Sequence, residues 1–129
     1  MDPRSEAPSR KTILVADDET ALLALIRNTL EAAGFTVHTA ESGDRALALG
    51  RELGAELDLL LVDVVLPGVS GPELAAQLVA ELPELEVIYT SGYGAGAGKA
   101  LHQRDSEAVF LPKPFTPKEL VALVREHLD

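Results

Sequence analysis

Polar side chains suited to binding a cation and an oxyanion follow four of the five short apolar runs in this chain. They are Asp17 and Asp18 after the first run, Asp63 after the third, Thr90 and Ser91 after the fourth, and Lys113 after the fifth. If these positions share one rim, the carboxylates repel one another, by up to ~4 kcal/mol for a pair ~4 Å apart at an effective dielectric constant near 20. Oxygen ligands from a few carboxylates, with space for water, are the set that Mg²⁺ prefers. The residues therefore predict a magnesium site beside a hydroxyl and an ammonium group.

The apolar runs are short and almost continuous, which is typical of strands buried on both faces of a parallel sheet. The predicted strands cover residues 12–16, 35–39, 57–62, 86–90 and 109–111. Helical patterns separate them, as where Leu23, Ile26 and Leu30 fall on one helical face. Five alternating strand and helix units predict an α/β fold with helices on both faces of the sheet. Ligands bind beyond the carboxyl ends of the strands in such sheets, which is where the polar residues fall.

Capping and turn residues predict the helix boundaries. Gly34 is suited to end the first helix, Ser42 to cap the second, and Pro72 to stand in the first turn of the third. The sequence Thr-Pro-Lys-Glu at 116–119 is a capping box that opens the last helix. Residues 91–98 are rich in glycine, so the helix after the fourth strand is predicted to be weak or to begin late.

Composition and charge limit the class of protein. The 129 residues fit one domain, with residues 1–10 predicted to be a disordered leader or linker stub and residues 11–129 the folded domain. The formal net charge of −10 argues against direct binding to nucleic acid or to an anionic membrane surface. The lack of cysteine excludes disulfides and thiolate metal sites. The predicted location is the cytoplasm, because the N-terminus lacks the apolar core of a signal peptide and no run approaches the ~20 apolar residues of a membrane span.

Four motifs carry a resemblance to the receiver domains of two-component response regulators, of the chemotaxis-regulator type. They are Leu14-Val-Ala-Asp-Asp-Glu19, Leu61-Val-Asp-Val-Val-Leu-Pro-Gly68 followed by Ser70-Gly71, Ile88-Tyr-Thr-Ser-Gly92, and Phe110-Leu-Pro-Lys-Pro-Phe115. Each motif is weak alone, but the four occur in the order and spacing of the family. The resemblance covers residues 11–129 and implies a flavodoxin-like, doubly wound sheet with strand order 2-1-3-4-5. The Ser-Gly-Tyr sequence at 91–93 is similar to receivers attached to hybrid sensor histidine kinases.

The resemblance implies a phosphoacceptor and a set of metal ligands. Asp63 is the residue that matches the phosphoacceptor, and it also contacts the metal. Mg²⁺ is held directly by Asp18, with Asp17 nearby or acting through water, and by the backbone carbonyl of Val65. The resemblance thus agrees with the ion that the carboxylates themselves suggest.

The resemblance also implies roles for the residues around the phosphoryl group. Lys113 and the hydroxyl of Ser91 match the groups that contact phosphoryl oxygens, and Lys113 is followed by a cis peptide bond to Pro114. Phe110 matches the switch aromatic, and Thr90 stands one place before the matching hydroxyl. On phosphorylation, Ser91 moves inward and Phe110 fills the space that it leaves, which changes the surface around the fourth and fifth strands.

The implied partner is a histidine kinase or a histidine-containing phosphotransfer protein, which supplies the phosphoryl group. The face formed by the fourth helix, the fifth strand and the last helix is the expected surface for a partner or a homodimer. In this interpretation the chain phosphorylates itself from a donor and is not an enzyme with turnover.

Two other classes of function are considered beside this one. A Mg²⁺-dependent phosphatase or phosphotransferase would also form an aspartyl phosphate, but the haloacid-dehalogenase pattern requires an acid two residues after the nucleophile, where Val65 stands. A phosphorylation-independent interaction module would have an inactive site, against which the intact set of polar residues argues. Taken singly, Asp17 or Asp18 would cap a helix, Asp63 would be a turn residue and Lys113 a solvated lysine.

Two further features are interpreted as unrelated to function. Residues 92–97 match the pattern G-x-G-x-x-A, but a dinucleotide site requires this turn after the first strand, so a mobile loop is predicted instead. His38, His102 and His127 lack the spacing of a metal site or a proton relay, and they are predicted to be surface residues.

Overall fold

The computed structural model describes residues 10–92 and 108–128 of the chain. Its strands are β1 (Thr12–Ala16), β2 (Thr36–Ala40), β3 (Leu59–Asp63), β4 (Glu86–Ser91) and β5 (Val109–Pro112). Its helices are α1 (Thr20–Ala32), α2 (Gly43–Leu53), α3 (Gly71–Glu81) and α4 (Pro117–Leu128). All strand pairs are parallel, in the order β2-β1-β3-β4-β5. The predicted α/β class and the flavodoxin-like strand order are confirmed.

The sheet separates two hydrophobic clusters because successive side chains of a strand point to opposite faces. On one face, Leu60 and Val62 of β3 pack with Leu74 and Leu78 of α3. On the other face, the alternate residues of β3 pack in a cluster to which α1 and α4 contribute buried side chains. The central strand β3 is therefore apolar on both faces until it reaches Asp63 at the carboxyl edge of the sheet.

The predicted capping signals are present where the sequence places them. The hydroxyl of Ser42 accepts a hydrogen bond from the amide of Arg45. Thr116 and Glu119 form the reciprocal bonds of a capping box, at 3.1 and 2.8 Å. Gly34 follows α1 with a φ of 101°, a backbone conformation that glycine adopts readily. These local rules fix where the helices start and stop.

The predicted start of β3 differs from the structure by two residues. β3 begins at Leu59 rather than two residues earlier, because Leu57 closes a short 3₁₀ turn over Gly54–Glu56 through a hydrogen bond to the Gly54 carbonyl. Asp58 bridges to the start of β1, where its carboxylate accepts the amide of Thr12 at 2.8 Å. The leader before Arg10 and the weak helix predicted after β4 lie outside the described residues. In the described part of the chain, no helix is long and apolar enough to cross a membrane.

The loop of residues 64–70, directly after Asp63, is held against the start of α2. The amide of Gly43 donates a hydrogen bond to the carbonyl of Pro67 at 3.1 Å. A Cβ atom at Gly43 would overlap the carbonyl group of Val69. The first residue of α2 therefore has to be glycine for this loop to keep its path beside the carboxyl edge of the sheet.

We expect Gly43→Ala to destabilise the fold by about 1–3 kcal/mol, the usual cost of forcing atoms into a packed region. Gly50→Ala, in the same helix, is the matched control, because the atoms nearest to its Cβ would be the terminal methyl carbons of Leu78, at 2.8 and 2.9 Å, which can move more easily than a backbone carbonyl. In a helix interior, alanine is also more favourable than glycine by about 1 kcal/mol, which partly offsets the cost of the contact at Gly50. Urea unfolding of both variants measures the difference, and equal losses would contradict the close approach at Gly43.

Candidate functional site

The carboxyl edge of the sheet brings the predicted acidic residues together. Asp17 and Asp18 directly follow β1, and Asp63 is the last residue of the neighbouring strand β3. One carboxylate oxygen from each lies within 4.8 Å of the other two. Asp17 and Asp63 are buried, whereas Asp18 is exposed. The cluster therefore has a buried base and one carboxylate open to solvent.

Lys113, which follows β5, reaches across β4 to this cluster. Its Nζ atom lies 2.8 Å from Oδ2 of Asp17 and 2.8 Å from Oδ2 of Asp63. The Lys113 side chain is only 13% exposed, and Glu19 is a more distant neighbour at 3.9 Å. A charged hydrogen bond in such a shielded place is stronger than one at the surface. Lys113 is thus a bridge between two carboxylates and not the solvated lysine of the simpler interpretation.

The charge of Lys113 persists over a wide pH range. Burial disfavours the ammonium ion, but hydrogen bonds and charge interactions with Asp17 and Asp63 outweigh it, so the pKa of Lys113 is raised above its ordinary value. A raised pKa means that these contacts stabilise the folded state at neutral pH. That contribution is lost only in alkaline solution, as the pH rises through the raised value.

The second oxygen of each buried carboxylate accepts a backbone amide. Oδ1 of Asp63 accepts from the amide of Val65 at 2.9 Å, and Oδ1 of Asp17 accepts from the amide of Glu19 at 2.8 Å. Asp17 therefore bonds to the backbone of Glu19, the N-cap residue of α1, while it also contacts Lys113; no side chain caps the first turn of the helix itself. Both carboxylates are held at two points, which fixes their orientation toward the centre of the cluster.

The donor set fits a hard divalent cation. Three carboxylates supply oxygen atoms within a few ångströms of one another, and neither sulfur nor imidazole is among them. Asp18 forms no hydrogen bond or ion pair with the residues that the structure describes, so its oxygens are available to a ligand. This chemistry matches Mg²⁺, which takes oxygen ligands and keeps several waters.

The two predicted hydroxyl residues lie at the end of β4 with different exposure. Thr90 is 2% exposed and is in register with Asp63, whereas Ser91 is partly exposed at the edge. The backbone of Ser91 joins the site, because its carbonyl accepts the amide of Lys113 at 3.0 Å. The next residue, Gly92, lies close beside Lys113, since a Cβ there would be 3.1 Å from Cδ of the lysine.

Phe110, the aromatic residue predicted to be a switch, lies in β5, two residues before the carboxyl end of that strand. Phe110 of β5 contacts Tyr89 of β4, with ring centroids 5.7 Å apart and planes inclined by 32°. Strand alternation places Ser91 on the same face as Tyr89. The peptide bond from Lys113 to Pro114 is cis, as the family resemblance implies.

Some features of the site were missed or misjudged from the sequence. The carbonyl of Val65 was predicted to be a metal ligand, but the hydrogen bond from the Val65 amide to Asp63 was not predicted. An aspartate at the start of a turn often accepts the amide two residues later, and this pattern could have suggested the bond. His38 and His127, which were predicted to be surface residues, are each partly buried and partly exposed. His127 packs 3.5 Å from Glu86, at the opposite edge of the sheet. His102 lies outside the described residues.

Comparisons with known proteins agree on one family. Residues 13–125 match the response regulator receiver domain. The sensor kinase CckA of Brucella abortus is 39% identical over 118 residues, which are 92% of this chain and 12% of that protein. The transcriptional regulatory protein ResD of Bacillus subtilis is 34% identical over 88% of this chain and 46% of its own length. The chain therefore spans less than half the length of either relative.

Solved structures give the same result. A response regulator receiver domain protein from Clostridium thermocellum has a TM-score of 0.82 and 28% identity, covering 92% of this chain and 94% of that chain. The receiver domain of the hybrid histidine kinase CckA has a TM-score of 0.77 and 30% identity, covering 92% of this chain and 99% of that chain. The structural similarity therefore covers nine-tenths of the chain, and the family match includes the positions of Asp17, Asp63 and Lys113.

Proposed function

The chain belongs to the response regulator receiver domain family of two-component systems, and on this premise we propose that Asp63 is its phosphoacceptor. The observation that supports the assignment is the pairing of a buried Asp63 carboxylate with Lys113 at 2.8 Å, inside a cluster of three carboxylates. The phosphoryl donor is a phosphohistidine of a histidine kinase or of a histidine-containing phosphotransfer protein. The cytoplasmic location and the leader of residues 1–10 stay predictions from the sequence.

In the proposed step, a carboxylate oxygen of Asp63 attacks the phosphorus of the donor. A P–O bond forms, the P–N bond to the donor imidazole breaks, and that imidazole leaves with the bonding electron pair. The hydrogen bond from Val65 to Oδ1 keeps the carboxylate from rotating, which favours attack by the other oxygen. Lys113, already beside that oxygen, is placed to neutralise a phosphoryl oxygen in the transition state.

The residues proposed to hold Mg²⁺ are Asp18, Asp63 and the carbonyl of Val65, with Asp17 close by. A bound Mg²⁺ supplies positive charge that offsets the charge on the phosphoryl oxygens. Ser91 is proposed to donate its hydroxyl to one of these oxygens. Lys113 also pairs with Asp17 at 2.8 Å, so the buried Asp17 carboxylate would keep a cationic partner if Lys113 shifted toward the phosphoryl group.

Incubation with Mg²⁺ and a small phosphodonor such as acetyl phosphate tests this proposal, with intact-mass measurement as the readout. We expect one phosphoryl group per chain, which disappears slowly after the donor is removed. The alternative function, a phosphatase or phosphotransferase, would release phosphate from the donor continuously and leave no adduct. Continuous turnover without an adduct would therefore reject the receiver mechanism in favour of the enzyme.

We also expect phosphorylation to change the packing of β4 and β5, where Tyr89 contacts Phe110. Ser91, drawn toward the phosphoryl group, would leave space on that face for Phe110 to enter, and Thr90 would move with the same strand. Hydrogen exchange with and without beryllofluoride should show altered protection in β4 and β5 and little change in α1 and α2. Changes confined to α1 and α2 would reject this switch while leaving Asp63 as the phosphoacceptor.

The surface for a partner or a second copy of the chain is proposed to include β5 and α4, because these elements flank Lys113. The helix expected to complete this face lies outside the described residues. A phosphorylation-dependent rise in molecular mass by light scattering would support a homodimer at this face.

A further inference from the structure

A second candidate site lies at the amino edge of the sheet, opposite the carboxylate cluster. It is an open groove of about 560 Å³, formed by the turn before β3, the connection from α3 to β4, the start of β1 and the end of α4. Its volume is within the range of known ligand sites, roughly 300–1,000 Å³. β3 separates it from Asp63 by roughly 13 Å, at ~3.3 Å per residue. The groove is therefore distinct from the site of phosphorylation, and we call it the amino-edge groove.

Leucines lie among the polar residues that line the amino-edge groove. Leu57 and Leu85 line it and are 5% and 8% exposed, so they belong to the hydrophobic core as well as to the groove. Leu82, at the end of α3, is partly buried beside them. The aliphatic carbon that a ligand could contact belongs mainly to Leu82 and to Leu128, which is also partly buried, and it favours a ligand that carries apolar as well as charged side chains.

The rim of the groove is acidic. Four carboxylates line it, against the ammonium of Lys11 and the imidazole of His127; they belong to Asp58, Glu81, Glu84 and Glu86. Several already have partners, since Glu81 pairs with Arg51 at 2.9 Å and Glu86 lies 3.5 Å from His127. Glu84 is exposed and forms no ion pair with any residue in the described ranges. The rim therefore keeps negative charge that a cationic ligand would neutralise.

The arrangement of these acids argues against a metal site. Among the described residues, Asp17, Asp18 and Asp63 form the only group of three acidic or histidine side chains close enough to share an ion. The groove carboxylates are spread around a rim instead of converging on a point. A negative rim also repels phosphates, which disfavours nucleic acid and anionic lipid.

We propose that the amino-edge groove binds a basic amphipathic peptide segment of a partner protein. Leucine-type side chains of the segment contact the leucines of the groove, and its lysine or arginine side chains face the rim near Glu84. Binding of this kind uses apolar anchors spaced three and four residues apart on one face of a helix. Because the groove and Asp63 lie at opposite edges of the sheet, the segment binds whether or not the chain is phosphorylated.

A synthetic peptide of about 14 residues, with leucines three and four residues apart and lysines elsewhere, is the probe. Its binding to the ¹⁵N-labelled chain is followed by NMR, together with a peptide that has serine in place of leucine. We expect saturable shifts gathered at residues 55–58, 82–86 and 127–128, and much weaker binding of the serine peptide. Shifts spread over the acidic surface or gathered at Asp17 and Asp18, equal binding of both peptides, or no binding would each overturn the proposal.

Two pairs of variants distinguish peptide binding at the groove from general attraction to the acidic surface of the chain. Glu84→Lys should weaken binding roughly fivefold, the change that loss of one good exposed ion pair produces. Glu41→Lys, with the same change of charge beyond the other edge of the sheet, should weaken it much less. Leu82→Ala should weaken binding, whereas Leu25→Ala, at a half-exposed leucine of α1, should not. Equal effects within either pair would overturn the proposal.

The outcome of the peptide-binding experiment does not depend on whether Asp63 is the phosphoacceptor. Glu84→Lys should take up a phosphoryl group as wild type does, since Glu84 lies far from Asp63. If wild type took up no phosphoryl group, the proposed function would fail and the binding result would stand. If phosphorylation of wild type abolished peptide binding, the independence of the two sites would be wrong.

Discussion

Asp63→Asn is expected to abolish the phosphoryl adduct formed with Mg²⁺ and a small phosphodonor. The amide side chain has nearly the same shape and can still accept the Val65 amide, but it has no anionic oxygen to attack phosphorus. Lys113 keeps Asp17 as a partner, so the fold should survive the change. Intact-mass measurement over the time course of phosphorylation checks the result.

Asp58→Asn is the matched control for this experiment. Asp58 stands directly before β3, whereas Asp63 is the last residue of that strand. An asparagine at position 58 can still accept the amide of Thr12. The control should therefore gain one phosphoryl group at the wild-type rate. An adduct of undiminished size on Asp63→Asn would show that another residue is the phosphoacceptor and would remove the basis of the proposed mechanism.

Asp18→Ala is expected to remove metal-dependent phosphorylation and leave the domain folded. Asp18 is exposed and bonds to no described residue, so its loss breaks no contact of the fold, yet one of the three clustered carboxylates is gone. Mg²⁺ prefers oxygen ligands in a near-octahedral arrangement, and one ligand fewer weakens a site that is already built from few carboxylates. Phosphoryl uptake measured against Mg²⁺ concentration should fall to background over the range that saturates wild type.

A second measurement distinguishes loss of a ligand from loss of charge. Glu41→Ala removes an exposed acid just after β2, at the same edge of the sheet, and should not change the Mg²⁺ dependence. Without metal, Asp18→Ala should be as stable as wild type or slightly more stable, because one source of repulsion among carboxylates is removed. Wild-type uptake by Asp18→Ala would mean that the metal site is assigned to the wrong residues.

The parts of this structure that the sequence predicts well are those set by local rules. The helix signals act within one turn of their own helices; they are Ser42, Pro72 and the capping box at 116–119. Short apolar runs predict buried strands just as directly. The gathering of Asp17, Asp63 and Lys113 also follows, because every parallel strand delivers its last residue to the same edge. Sequence order, strand direction and residue type were sufficient for that part of the site.

The parts that the sequence does not predict depend on distant contacts. Gly43 fits against Val69, 26 positions later, and Arg51 pairs with Glu81, 30 positions later. No periodic pattern in the sequence indicates either contact. The boundary of β3 was misplaced because a 3₁₀ turn competes for Leu57. The amino-edge groove is equally invisible, since its walls come from four separate segments that meet only in the folded chain.

The bridge formed by Lys113 has a consequence for when the chain becomes competent to receive a signal. Its ammonium joins Asp17, 96 residues earlier, and Asp63, 50 residues earlier. During synthesis, β1 and β3 can pair while β5 is still inside the ribosome, and at that stage the two carboxylates face each other without their cation. If Asp63 is the phosphoacceptor as proposed, we expect phosphorylation competence to arrive with the last strand, so that a chain truncated before β5 is a poor phosphoacceptor even where its first three strands are formed.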